Sequence, residues 1–128
     1  MKLPEAYKEI SLKNVELLRR GKVRDIFDLG DKLLFVASDR ISAFDVVLPN
    51  AIPYKGKVLN SISAFWFRKL KDIIPSHFIT DDVNEFPIEL TSDEQDMLDG
   101  RSSLVHKGRM IDVECVGGAT WREDMGGE

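Results

Sequence analysis

A five-residue apolar run, Leu33-Leu34-Phe35-Val36-Ala37, stands between two charged stretches, and this arrangement limits the possible folds more than any other feature. The run has the length and composition of a buried strand. Leu29-Gly30-Asp31 before it signals a hairpin to residues 22–28, where Val23, Ile26 and Phe27 alternate imperfectly, so two antiparallel strands are expected. Packing gives no reason for charge at the ends of such strands, yet Lys22, Arg24, Asp25, Asp39, Arg40 and Asp45 all lie there. Charges gathered beside apolar strands point to a ligand site.

Further along, Val58, Leu59, Ile62, Phe65, Trp66, Leu70, Ile73 and Ile74 recur at helical spacing, with Arg68, Lys69, Lys71 and Asp72 between them. This predicts one long helix over residues 57–74, stopped by Pro75, with Phe65, Trp66 and Phe67 in the core. Thr91-Ser92-Asp93-Glu94 has the form of a capping box, so a short helix should start there and end near Gly100. Residues 2–20 read as polar and irregular, with Val15, Leu17 and Leu18 covering a sheet edge, and residues 81–87 read as a loop. The expected fold is α+β, an antiparallel sheet with the long helix packed on one face. One domain over residues 1–116 has room for a modest core.

At 128 residues, 43% hydrophobic and 31% charged, the composition is that of a globular protein, neither disordered nor fibrous. A net charge of −4 offers no general attraction to nucleic acid or to an anionic membrane. Phosphate binding would need a local basic cluster, which Lys22, Arg24, Arg40, Lys55 and Lys57 could supply. The single Cys115 excludes an internal disulfide framework and is expected to be a small buried residue. No N-terminal apolar segment resembles a signal peptide or a membrane span, so a cytoplasmic location is expected.

Three clusters carry possible chemistry. A Gly beside a Lys at the mouth of a strand lets backbone amides approach an anion while the ammonium adds a mobile charge, and Gly21-Lys22 fits that use. It is not a Walker motif, and a turn glycine with a solvated lysine is the alternative. The heptad Asp39-Arg40-Ile41-Ser42-Ala43-Phe44-Asp45 holds two carboxylates, a guanidinium and a hydroxyl, enough to orient a polar ligand. A surface pair of Asp39 and Arg40 in a turn would explain it equally well. Glu114 lies on an otherwise apolar stretch, where an inward carboxylate needs a partner and an outward one is simply solvated. His77 and His106 lack ligand-spaced partners and read as structural.

Taken in order, Gly-Lys-Val-Arg-Asp-Ile-Phe from Gly21, Leu-Phe-Val-Ala-Ser-Asp-Arg-Ile-Ser-Ala-Phe-Asp from Leu34, Ile-Pro-Tyr-Lys-Gly-Lys-Val-Leu from Ile52 and Ser-Ala-Phe-Trp-Phe from Ser63 closely resemble the N-terminal part of the SAICAR synthetase family. Weaker matches continue it: residues 101–107 look like the strand leading to the family's nucleotide hinge, and residues 110–116 like the hinge strand itself. Asp112 departs from the family's usual Pro. The resemblance implies the ATP-binding small lobe of a kinase-like or ATP-grasp-like enzyme that joins a carboxylated aminoimidazole ribonucleotide to L-aspartate. In that family the carboxylate is phosphorylated by ATP and the aspartate amine then displaces phosphate. It further implies ATP contacts at Gly21, Lys22, Val23, Arg24, Lys107, Met110 and Ile111, and substrate contacts at Asp39, Arg40, Ser42 and Glu114. The Mg²⁺ that accompanies ATP is held in the family mostly by acids of the C-terminal part, so no metal ligand is expected here. On this reading the lobe alone does not complete the reaction, its partners are the small-molecule substrates, and a non-catalytic nucleotide-binding module is the alternative.

The resemblance stops after Val116. Residues 117–128 do not match the family's Val-Val-Arg-Gly-Tyr-Leu-Ala-Gly-Ser-Gly-Trp continuation, and they read as a frameshifted form of it. With permitted codons, restoring one base in the codon of Gly117 turns the tail into Val-Arg-Gly-Tyr-Leu-Ala-Gly-Gly-Tyr. Sequencing the underlying DNA checks this: the expected result is codons that yield the family continuation after a one-base correction, and any other codons make the tail genuine divergence.

Overall fold

A computed structural model describes residues 4–115 and 117–118. Five strands form one antiparallel sheet: β1 (Glu16–Arg20), β2 (Arg24–Asp28), β3 (Lys32–Ala37), β6 (Phe78–Thr80) and β7 (Ser102–His106), in the order β1-β2-β3-β7-β6. A separate hairpin joins β4 (Arg40–Ala43) to β5 (Val46–Ala51), and helices α1 (Lys55–Leu70) and α2 (Ser92–Leu98) complete the fold. An antiparallel sheet with α1 packed against β3, β7 and β6 is the α+β arrangement that the sequence predicts. The β2–β3 turn uses Gly30 at φ 95°, a left-handed conformation that glycine adopts without steric cost.

The register separates two faces of the sheet. Phe27, Leu34 and Leu104 are cross-strand neighbours on one face, with Val36 beside them. They meet Ile10 and Leu12 of the N-terminal segment, Val83, Phe86, and Leu98 at the end of α2, forming the buried core. Arg24, Ile26, Phe35 and Ser103 alternate onto the other face. Helix α1 lies over that second face, where the Asn60 amide donates to the Ser102 carbonyl (3.1 Å) and accepts from the Ser103 hydroxyl (2.7 Å).

Helix α2 begins as expected. The Thr91 hydroxyl accepts from the Glu94 amide at 3.2 Å, and the Glu94 carboxylate accepts from the Thr91 amide at 3.0 Å. Glu94 also accepts from the Lys13 amide at 3.0 Å, which ties the N-terminal segment to the helix. Backbone and side-chain donors at Thr91 and Lys13 hold the Glu94 carboxyl below its ordinary range.

Five expectations need correction. Residues 16–20 form β1 rather than irregular coil, although every side chain in it is exposed, because an edge strand is held by backbone pairing to β2. Helix α1 starts two residues earlier than expected and ends at Leu70, well short of Pro75; Ile73 and Ile74 both donate to the Leu70 carbonyl in a loosened final turn. Phe65 and Trp66 are about half exposed instead of core. The rotation of the helix decides this: Gly56, Asn60 and Ala64 occupy its buried side. Over residues 110–115 no hinge strand forms: β7 has β3 and β6 on its two sides, and the stretch pairs with neither open edge of the sheet, β1 or β6. Cys115, on that exposed stretch, is exposed rather than buried. Val116 and most of the tail from residue 119 lie outside the described residues.

Candidate nucleotide site

Two buried ion pairs organise the charged stretches. The Asp39 carboxylate is fully buried and accepts both guanidinium nitrogens of Arg101 (2.8 and 3.2 Å), the Tyr7 amide (2.9 Å) and the Gly56 amide (2.9 Å). Burial pushes the Asp39 carboxyl up, but Arg101 and the two amides outweigh it, so the group is held below its ordinary value and stays ionised. The Arg101 guanidinium also lies over the Tyr7 ring, 4.9 Å from its centre. A second pair joins Arg40 to buried Asp25 at 2.6 Å, with Arg20 on the other carboxylate oxygen at 3.3 Å.

Arg40 does more than neutralise Asp25. Its guanidinium donates to the carbonyls of Gly21 (3.1 Å), Lys22 (3.1 Å) and Lys8 (2.6 Å). The β1–β2 turn is therefore held through its own backbone oxygens by a residue from β4. That grip leaves the turn's side chains outward: Lys22 and Arg24 are exposed and Val23 is half-buried. Lys22 meets the Asp45 carboxylate at the tip of the β4–β5 hairpin. Among the described residues Arg24 has no carboxylate partner, although it stands on an acidic protein.

Beside this turn, a cleft of about 440 Å³ opens between α1 and the second face of the sheet. Val23, Arg24 and Phe35 form its floor, Leu59 and Phe67 its helical wall, and His77 its far end. Its size falls within the range of small-molecule sites, and an apolar floor with a cation at the rim suits a flat ring carrying a charged tail. Burial, and to a lesser extent His106, lower the His77 pKa, so the imidazole is neutral at pH 7.

The remaining candidate residues fall elsewhere. Lys107 sits past the opposite end of the same face, where its ammonium meets Asp28 (3.2 Å) and the Gly30 carbonyl (3.4 Å). With about 3.3 Å per residue, the four steps from Arg24 to Asp28 put some 13 Å between the two cationic ends. Met110, Ile111 and Glu114 follow on an exposed stretch without regular structure. Ser42 is half-buried on β4, opposite Val47. The structure thus puts Val23 and Arg24 in the lining of one cleft with Gly21 and Lys22 beside them, leaves Lys107 outside that lining past the far end of β2, and makes Asp39 and Arg40 interior anchors.

Sequence reasoning missed Asp25, Asn60 and Arg101 as organising residues. A signal existed for Asp25 and Arg101, because a charge within or just before a strand that carries core residues needs a partner wherever the backbone carries it inside. Asn60 gave none, since its role depends on the carbonyls of a strand some forty residues away.

Comparison with known proteins decides the family: residues 17–120 match SAICAR synthetase. The chain belongs to the SAICAR synthetase family. It is 51% identical to the phosphoribosylaminoimidazole-succinocarboxamide synthase of Thermodesulfovibrio yellowstonii, covering 90% of this chain and 41% of that protein. It is 54% identical to the same enzyme of Pelobacter propionicus, covering 85% and 38%. Among solved structures, a SAICAR synthase aligns with TM-score 0.71 at 36% identity, over 83% of this chain and 38% of that one. The Saccharomyces cerevisiae SAICAR synthase complexed with SAICAR aligns with TM-score 0.68, also at 36% identity, over 80% and 37%. The chain spans about two fifths of the relatives it matches.

Proposed function

We propose that this chain is the nucleotide-binding lobe of a SAICAR synthetase, in which ATP lies along the α1 side of the sheet. The observation that carries this reading is the exposed pair Lys22 and Arg24 on a clamped turn beside an apolar-floored cleft, in a protein of net charge −4. The phosphates meet Gly21, Lys22 and Arg24, and the purine extends over Val23 and the strand floor toward Lys107, Met110 and Ile111. A span of about 13 Å between the two ends suits an extended nucleoside triphosphate. Catalysis in such a site is mainly positioning and electrostatics: the lysine and arginine disperse charge on the transferring phosphoryl group. The acceptor is the carboxylate of the aminoimidazole ribonucleotide, and aspartate then takes the acyl group with loss of phosphate.

Asp39 and Arg40 serve this reaction as positioning residues, one fixing the start of α1 and the other the phosphate turn. Ser42 and Glu114 meet the ribonucleotide or aspartate from the hairpin and from the stretch beyond β7. Among the described residues no three His, Cys, Asp or Glu side chains come together. Mg²⁺ bound with ATP would take its protein ligands mostly from the C-terminal part of the family and would neutralise charge on the phosphates. No described helix is long and apolar enough to cross a membrane.

Calorimetric titration of ATP tests the reading. Lys22→Ala removes one charge-assisted contact and should weaken ATP binding by roughly tenfold or more, with an affinity that falls as salt rises. Equal heats for the intact chain and the variant would take Lys22 out of the site.

A further inference from the structure

The tip of the β4–β5 hairpin is built against its own residue types. Ala43 pairs with Val46, so Phe44 and Asp45 form a two-residue turn, and both have positive φ, 51° and 64°. Such a turn ordinarily takes Asn-Gly or Asp-Gly, because most side chains crowd the backbone in the left-handed region. Aspartate tolerates that region, whereas a phenylalanine is strained there. Packing does not offset the strain, since Phe44 is fully exposed. Among the described residues, the side-chain contact that ties this tip to the rest of the lobe is the ion pair of Asp45 with Lys22 on the β1–β2 turn.

That contact occupies one of the two cations beside the cleft. Arg24 has no carboxylate partner among the described residues, whereas the Lys22 ammonium already meets a negative charge. Arg40 grips the Lys22 carbonyl, so the ammonium can exchange one anion for another without moving the turn. Both side chains are open to solvent, Asp45 at 90% and Lys22 at 52%, and an ion pair so exposed yields readily to a polyphosphate that carries several charges. We propose that Asp45 competes with the nucleotide's phosphates for Lys22, and that phosphate binding releases the tip of the β4–β5 hairpin. Once released, the strained Phe44-Asp45 turn is free to relax, which links arrival of the phosphates to the hairpin that carries Ser42. The inference rests on the nucleotide reading and adds to it the group that the phosphates displace.

Calorimetry with ATP, inorganic triphosphate and adenosine tests this on the intact chain, Asp45→Asn, Lys22→Ala and the double variant. Asparagine suits the left-handed region, so Asp45→Asn removes the charge and keeps the turn; if it lowers the melting temperature, Asp45→Gly takes its place. The expected result is that Asp45→Asn tightens ATP and inorganic triphosphate about fivefold and leaves adenosine unchanged. With Lys22 already replaced by alanine, the same change should gain less than about twofold. Saturating ATP should also speed amide hydrogen exchange at residues 43–46 of the intact chain. The proposal is overturned if Asp45→Asn binds ATP no more tightly than the intact chain, if the gain is as large without Lys22, or if ATP leaves exchange at the tip unchanged or slower. No binding of ATP, or an affinity that Lys22→Ala does not alter, removes the nucleotide reading itself and this inference with it.

Discussion

Replacing Asp39 with Asn should destabilise the lobe by about 3–5 kcal/mol at pH 7, a large share of the stability of any small domain. The substitution keeps the side chain's shape but leaves the Arg101 guanidinium, 1% exposed, without a counter-charge. It also weakens two backbone anchors at once. The Tyr7 amide carries the N-terminal segment that covers the core, and the Gly56 amide starts α1. Urea unfolding of both proteins measures the loss, and a change below about 1 kcal/mol would mean that Arg101 finds compensation elsewhere. The pH dependence supplies a second check. The Asp39 carboxyl is held below its unfolded value of 3.8, so its contribution is complete above that pH and disappears as pH falls through the lower folded value. The stability curves of the two proteins should therefore converge only in acid below pH 3.8.

Gly56→Ala should also be strongly destabilising, against the ordinary preference of a helix for alanine. Propensity alone would favour the variant by about 1 kcal/mol. The added Cβ, however, would lie 2.0 Å from the Ala37 carbonyl oxygen and 2.8 Å from the Arg101 guanidinium. Ala37 is on a central strand and Arg101 is locked to Asp39, so neither neighbour can move aside. Relief would require α1 to shift away from the sheet and give up the Asn60 bonds to β7, which puts the net cost at about 2–3 kcal/mol. Thermal melting should show a fall of roughly 10 °C, and an unchanged or raised midpoint would show that the helix is less tightly seated than its contacts indicate.

Much of this protein was legible from local chemistry. The β2–β3 hairpin follows from one apolar run and a turn glycine, and the start of α2 from the Thr91 and Glu94 pair, because both depend on residues a few positions apart. Strand β1 was not legible, since its side chains are all exposed and its order comes from the backbone of β2. Nor did apolar character alone place residues 110–115: a strand forms only where it pairs with another, and this stretch pairs with neither β1 nor β6 at the edges of the sheet.

The sequence by itself determined the β2–β3 hairpin, the presence of one long helix, the start of α2, which family the chain resembles, and which cations stand just before and at the start of β2. Only the tertiary structure decided what the charged heptad does. Asp39 and Arg40 are adjacent in sequence, yet one pairs with Arg101 and the other with Asp25, at separations of 62 and 15 residues. It also decided which side of α1 meets the sheet. Periodicity places an apolar stripe on a helix but not its direction; the close contact at Gly56 and the partners of Asn60 set the rotation, and both lie on strands that the helix meets only when the chain is folded.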